Sequence, residues 1–387
     1  MIASNYDEIQ NHFLIEEVEK LVAMEIVPKA QLDQISQNTV TTKTNSNILI
    51  RFAFFLLGNI VLSSIFGVFA LLFVAVESQE VFGFLAFLAA IGCVLAAEYF
   101  YNQNYFAFGF DDSIILSISL CASVCVGIFT ESIPAIVFAS LIVTSFCSVR
   151  YVHVPSTFFA LVSLIGYTGY LVVEEEIIPS SFLPILLFVI AVGLYFFQNQ
   201  IFKNAAYFLY KNVLETIKIF SLVLGYASLN YFVVRELSEI LLGFYFEPNR
   251  EIPLGSLFYF ATFAIPVLYI YLGLKQKDRT FFWIGLLSLA LGFATIRYYY
   301  SILPIEIALL LGGTVLFVIT YFSIRTIRDK TTGITFNEDK NLNPMAFEIV
   351  KNILVNANTN ATITTNQESP VEFGGGGFSG GGSGGNF

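Results

Sequence analysis

Six polar side chains stand within or beside stretches that otherwise carry almost no charge: Glu98, Asp111, Asp112, Arg297, Glu306 and Asn59. An ionisable group inside a long apolar run is costly and marks a functional position by default. Glu98, followed by Tyr99, Phe100 and Tyr101, and Glu306, just after Pro304, are the carboxylates placed to couple a proton to transport or to anchor a helix end. Arg297 lies a short loop before Glu306, which allows an ion pair between them, and a long arginine can also snorkel to the interface. Asn59 sits more centrally in its run and suits hydrogen bonding between helices. Asp111 and Asp112 close the stretch YFAFGFDDS, residues 105–113. Gly109 permits a turn there, and either carboxylate suits the cap of the helix that follows. The sharper reading is a docking surface or cation contact near Glu98.

Other chemistry is thinly represented. Cys93, Cys121, Cys125 and Cys147 all fall in apolar runs, where cysteine behaves as a small apolar residue. Cys121 and Cys125 share a helix face, but no histidine is near them in sequence. His12 and His153 are far apart, so no histidine-based metal site or triad is expected. No phosphate-cradling loop occurs, because the tail glycines precede neither a helix nor the Lys-Ser/Thr pair such a loop needs. The sequence therefore predicts no catalytic residue, no cofactor and no metal, and an intramembrane enzyme ranks last among the readings.

The elements that position these residues are apolar segments of roughly 20 residues, the length a helix needs to cross a bilayer. The 387-residue chain is 56% hydrophobic and only 12% charged. Its mean hydropathy is +0.74. The runs show no alternation of polar and apolar residues, so helices rather than a barrel are expected. About ten spans follow: 52–76, 81–100, 113–130, 134–149, 156–173, 182–199, 216–234, 256–274, 280–298 and 303–323. The fold class is an all-α polytopic transmembrane helix bundle. A net charge of −10 argues against nucleic acid.

The joints set the orientation. One side carries Arg51, Arg150, Lys203, Lys211, Lys218, Lys275, Lys277, Arg279, Arg325, Arg328 and Lys330; the other has only Arg235, Arg250 and Arg297 as basic residues. The positive-inside rule then places both termini in the cytoplasm. The acidic, amphipathic first residues lack the form of a secretory signal. Residues 1–47 read as a helical hairpin and polar linker, 48–325 as the membrane domain, and 326–373 as a tail with a short helix at 344–355. Residues 374–387 are a glycine-rich end too poor in apolar side chains to order. Leu237, Ile240, Leu241 and Phe244 suit a short interfacial helix on the outer side.

The hairpin EEVEKLVAMEIVPKAQLDQI, the ten-helix block and GFDDS at the head of a membrane helix resemble a family of uncharacterised polytopic bacterial membrane proteins. Those begin with a Gly-Ile-Ile turn and a helix, where this chain has Glu25-Ile26-Val27-Pro28. The tail VEFGGGGFSGGGSGGNF is similar to glycine-rich C-termini of bacterial membrane-anchored proteins, some of which carry a TPM domain. The resemblance implies a bacterial inner membrane and supplies no catalytic residue. Beyond the bilayer, a protein partner at the hairpin or the Gly/Phe tail is expected, in a scaffold or assembly role. The alternative is a secondary transporter of a small, possibly neutral solute.

Overall fold

The computed structural model describes residues 28–38, 42–45, 47–73, 78–202, 209–242, 252 and 254–299, with isolated positions between 11 and 22 and between 307 and 325. A short helix α1 (Lys29–Asn38) comes first and matches the second half of the expected hairpin. The membrane helices follow as α2 (Ile48–Leu72), α3 (Gln79–Asn102), α4 (Phe110–Thr130), α5 (Ile133–Tyr151), α6 (Val154–Val173), α7 (Leu183–Phe202), α8 (Lys211–Ala227), α9 (Tyr231–Leu242), α10 (Gly255–Gln276) and α11 (Arg279–Tyr299). A 3-10 turn, Ser180–Phe182, leads into α7.

Eight helical segments are long and apolar enough to cross a membrane, or nine if α8 and α9 form one broken span. They mark the chain as a multi-pass membrane protein. Nine of the ten expected spans fall on these helices. The tenth, 303–323, lies outside the described residues apart from isolated helical positions. The same holds for the first helix of the hairpin, while the short helix at 344–355 and the glycine-rich tail lie wholly outside them.

The seventh span departs from expectation. The sequence predicts a single helix over 216–234, but α8 stops at Ala227 and α9 leaves at 79°. The cause is Asn230. Its side-chain oxygen accepts from Val233 N–H at 3.2 Å and its carbonyl from Val234 N–H at 3.0 Å, so it caps a new helix. The interfacial helix expected from Leu237 onward is thus the continuation of α9 and begins six residues earlier, at Tyr231.

Consecutive helices pack as hairpins: α3 with α4, α5 with α6, α7 with α8, and α10 with α11. The exception is α2, which packs chiefly on α4 rather than on α3. Gly58 makes this possible. A Cβ there would lie 2.8 Å from Ser113 Cβ, so α2 and α4 cross where only small residues fit. Helix α4 therefore touches α2, α3, α5 and α6, and among the described spans its apolar window is the most buried. It is the hub of this half of the bundle. Hairpin alternation brings the start of α2, the end of α3, the start of α4 and the α5–α6 joint to one end.

Candidate functional site

The stretch Gly109–Ser113 at that end is used residue by residue. Gly109 precedes the first turn of α4 at φ +113°, a region L side chains avoid. A Cβ on it would stand 2.2 Å from the carbonyl oxygen of Arg51, so glycine is required twice over. Phe110 stacks on Phe100 of α3 with centroids 5.4 Å apart. Asp111 turns back: its Oδ1 accepts from Phe108 N–H at 3.0 Å and from Gly109 N–H at 2.8 Å. Its other oxygen, Oδ2, is buried without a hydrogen-bond partner. Asp111 thus ties the preceding joint to the first turn of α4, where Gly109 is the N-cap, and Asp112 has a different task.

Asp112 is buried and joins three helices. Arg51 of α2 donates to it through both Nε (2.6 Å, to Oδ2) and Nη2 (2.9 Å, to Oδ1), the bidentate fork that makes such pairs strong. His153, buried in the α5–α6 joint, lies with Nε2 3.0 Å from Oδ1. The histidine's tautomer follows from its other nitrogen. The backbone N–H of Ser156 points at Nδ1 from 3.2 Å and can only donate, so Nδ1 accepts and the proton sits on Nε2, facing Asp112. Ser156 Oγ lies 2.7 Å from the same Nδ1.

The order Asp112–His153–Ser156 is that of a hydrolase triad. The surroundings are not those of a nucleophile. Ser156 is 0% exposed and sits in the first turn of α6, where His153 is the N-cap and Pro155 occupies a first-turn position. The geometry is a side-chain N-cap, His153 Nδ1 accepting from Ser156 N–H, and the cap is tied to α4 by a carboxylate. Val152, just before it, holds a left-handed φ of 51°, a costly conformation for a β-branched residue.

Glu98 lies beside this network. Arg150 grips it in the same bidentate way, at 3.0 and 2.9 Å, and Tyr151 OH donates to it at 3.2 Å. Tyr101 OH donates to the Tyr151 carbonyl at 2.8 Å. Tyr101 also lines, with Arg51, Asp112 and His153, a cavity of about 50 Å3. That is room for a few waters at most. Across the same end, Lys218 of α8 pairs with Asp278 in the α10–α11 joint, where Asp278 Oδ1 also accepts from Thr280 N–H.

The remaining expected positions fall elsewhere. Asn59 donates to Phe55 O in its own helix at 2.8 Å rather than across a helix interface. Arg297 stands in the last turn of α11, at the opposite end, where its charge complements the helix dipole. Glu306 lies outside the described residues, so the Arg297–Glu306 pair does too. The four cysteines are free thiols, and no cluster of three or more metal-ligating side chains occurs among the described residues. The opposite end holds a second polar cluster at the α8–α9 break. There Asn230 donates to Tyr226 OH at 2.8 Å, and Thr262 Oγ1 accepts from Tyr231 N–H at 3.0 Å.

Sequence reasoning singled out Glu98, Asp111 and Asp112, which the structure brings to one end. It took Arg51 and Arg150 only as topology markers and set His153 aside. The usable signal for His153 was local: a polar residue followed by Pro155 at the head of an apolar run is a helix start. No family model, no curated protein and no solved structure matches the chain significantly.

Proposed function

We propose that this is a ten-helix protein of a bacterial inner membrane with both termini in the cytoplasm, acting as a scaffold through a protein partner engaged at its basic end. The observation that carries the reading is the attachment of the chain's N-terminal part. Lys43 N–H donates to Asn104 O at 2.6 Å and Phe106 N–H donates to Lys43 O at 3.1 Å, so the segment before α2 is pinned to the α3–α4 joint. Residues 42–45 are thereby held on the joint that leads into Asp111 and Asp112, beside the ionic network. Carboxylates in that network hold helices other than their own: Asp112, on α4, holds α2 and the start of α6, and Glu98, on α3, holds α5. This supports a braced platform over a substrate site, as does the small cavity.

The test is affinity purification in mild detergent of the intact chain, a chain lacking residues 1–38, and a chain lacking Gly374–Phe387. A stoichiometric partner held by the intact chain and lost on either truncation is the expected result. Absence of any partner from the intact chain contradicts the proposal.

One observation favours a second reading, a secondary transporter of a small neutral solute. Broken helices lined by polar groups form the binding sites of many transporters, and the α8–α9 break gathers Asn230, Thr262 and Thr295. The 17 residues of α8 rise about 25 Å, however, which sets the break near the far face rather than the midplane. Solute uptake lost in Asn230→Ala, with normal insertion, would favour this reading. Uptake unaffected by Asn230→Ala, Glu98→Gln and Glu306→Gln would remove it.

A further inference from the structure

We propose that residues Thr42–Asn45 are a latch that sets the register of α2 against α4, so that force on the N-terminal segment is transmitted to the Arg51–Asp112 pair. The inference rests on the platform reading for what would pull the latch, but not for the latch itself. Both partners of the ion pair hang on this one strap. Arg51 follows it by chain: Asn47 caps α2, its side chain accepting from Leu49 N–H at 2.9 Å and its carbonyl from Arg51 N–H at 3.0 Å. Asp112 follows it through the joint. Asn45 Nδ2 donates to Phe108 O at 2.8 Å, and the N–H of the same Phe108 is held by Asp111, the neighbour of Asp112. Asn45 N–H also reaches Ala107 O at 3.4 Å.

The joint that the strap holds is under strain. Asn104 and Gly109 have φ of 64° and 113°, which asparagine and glycine accommodate, but Ala107 has φ of 53°, a costly conformation that its neighbours must hold. The strap supplies that restraint. Lys43 and Tyr105 form a parallel bridge, and Lys43 Nζ lies over the Tyr105 ring at 4.7 Å from its centroid. Thr42 is buried at the strap's start. Without the strap the joint relaxes toward ordinary φ values, the carbonyl of Phe108 is freed, and the first turn of α4 shifts away from Arg51.

The test is amide hydrogen exchange on the full chain in lipid nanodiscs, which needs no partner. Asn45→Ala removes one strap bond and leaves Arg51, Asp111 and Asp112 intact. It is expected to speed exchange of the amides of 108–113 about tenfold while leaving 255–299 unchanged. A disulfide formed in Lys43→Cys/Tyr105→Cys, which links the two bridged positions covalently, is expected to restore protection when added to Asn45→Ala. Unchanged exchange at 108–113, an equal rise across 255–299, or failure of the disulfide to restore protection overturns the latch. Absence of any partner from the intact chain in the purification above would instead overturn the platform and leave this result standing.

Discussion

Adjacent aspartates with opposite duties are the sharpest feature at the residue scale. Successive side chains on a helix point about 100° apart, so Asp111 faces back to the joint while Asp112 faces α2 and α6. Their amide variants should therefore behave differently. Asp111→Asn keeps the oxygen that accepts from Phe108 and Gly109, and replaces an unpartnered buried Oδ2. Its apparent melting temperature in detergent should match or exceed that of the parent. Asp112→Asn strips the charge from a partly buried bidentate pair, whose carboxylate end is buried, and should cost about 3 kcal/mol, read as a drop in that temperature. The reverse ranking would show that the duties have been assigned the wrong way round. Gly109→Ala should be as damaging as Asp112→Asn, because the added methyl meets the Arg51 carbonyl at 2.2 Å and the backbone is in a region alanine avoids.

At the element scale, the helices were legible because their apolar runs span a bilayer and little else explains such composition. Their ends were less so. Helices α2, α4 and α8 begin three to five residues before the apolar runs, since Arg51, Asp111, Asp112 and Lys211 are helical yet polar. Partnerships were not legible at all. Arg51 and Asp112 are 61 residues apart, and nothing in either segment says that α2 lies on α4 rather than on its neighbour α3. The break at Asn230 was hidden for a related reason. An asparagine within an apolar stretch reads as a tolerated polar residue until Thr262 and Thr295 are seen beside it. Asn230→Ala should remove the cap of α9 at a cost of about 1 kcal/mol. Faster amide exchange confined to α9 is the expected signature, and unchanged exchange there would show that packing alone holds the bend.

For the whole molecule, the basic joints and the ionic network fall at the same end, a coincidence that composition does not require. If that end faces the cytoplasm, a membrane-impermeant thiol reagent should label Glu176→Cys in intact cells and Lys277→Cys only after lysis, against a background lacking the four native cysteines. The opposite pattern would invert the orientation. Charge asymmetry was legible in the sequence, but its structural use was not, because topology rules count Arg51 and Arg150 without asking what they touch. Both are consumed in forks to carboxylates of other helices, at 2.6–2.9 Å and 2.9–3.0 Å. The account stands on the first of these forks joining α2 to α4. A double-mutant cycle on Arg51→Gln, Asp112→Asn and the pair together tests it most directly, with stability measured in detergent. The prediction is strong coupling: each single change costs about 3 kcal/mol, and the double change costs little more than either alone. Additive losses would mean that the two side chains act independently, and the braced end would have to be abandoned.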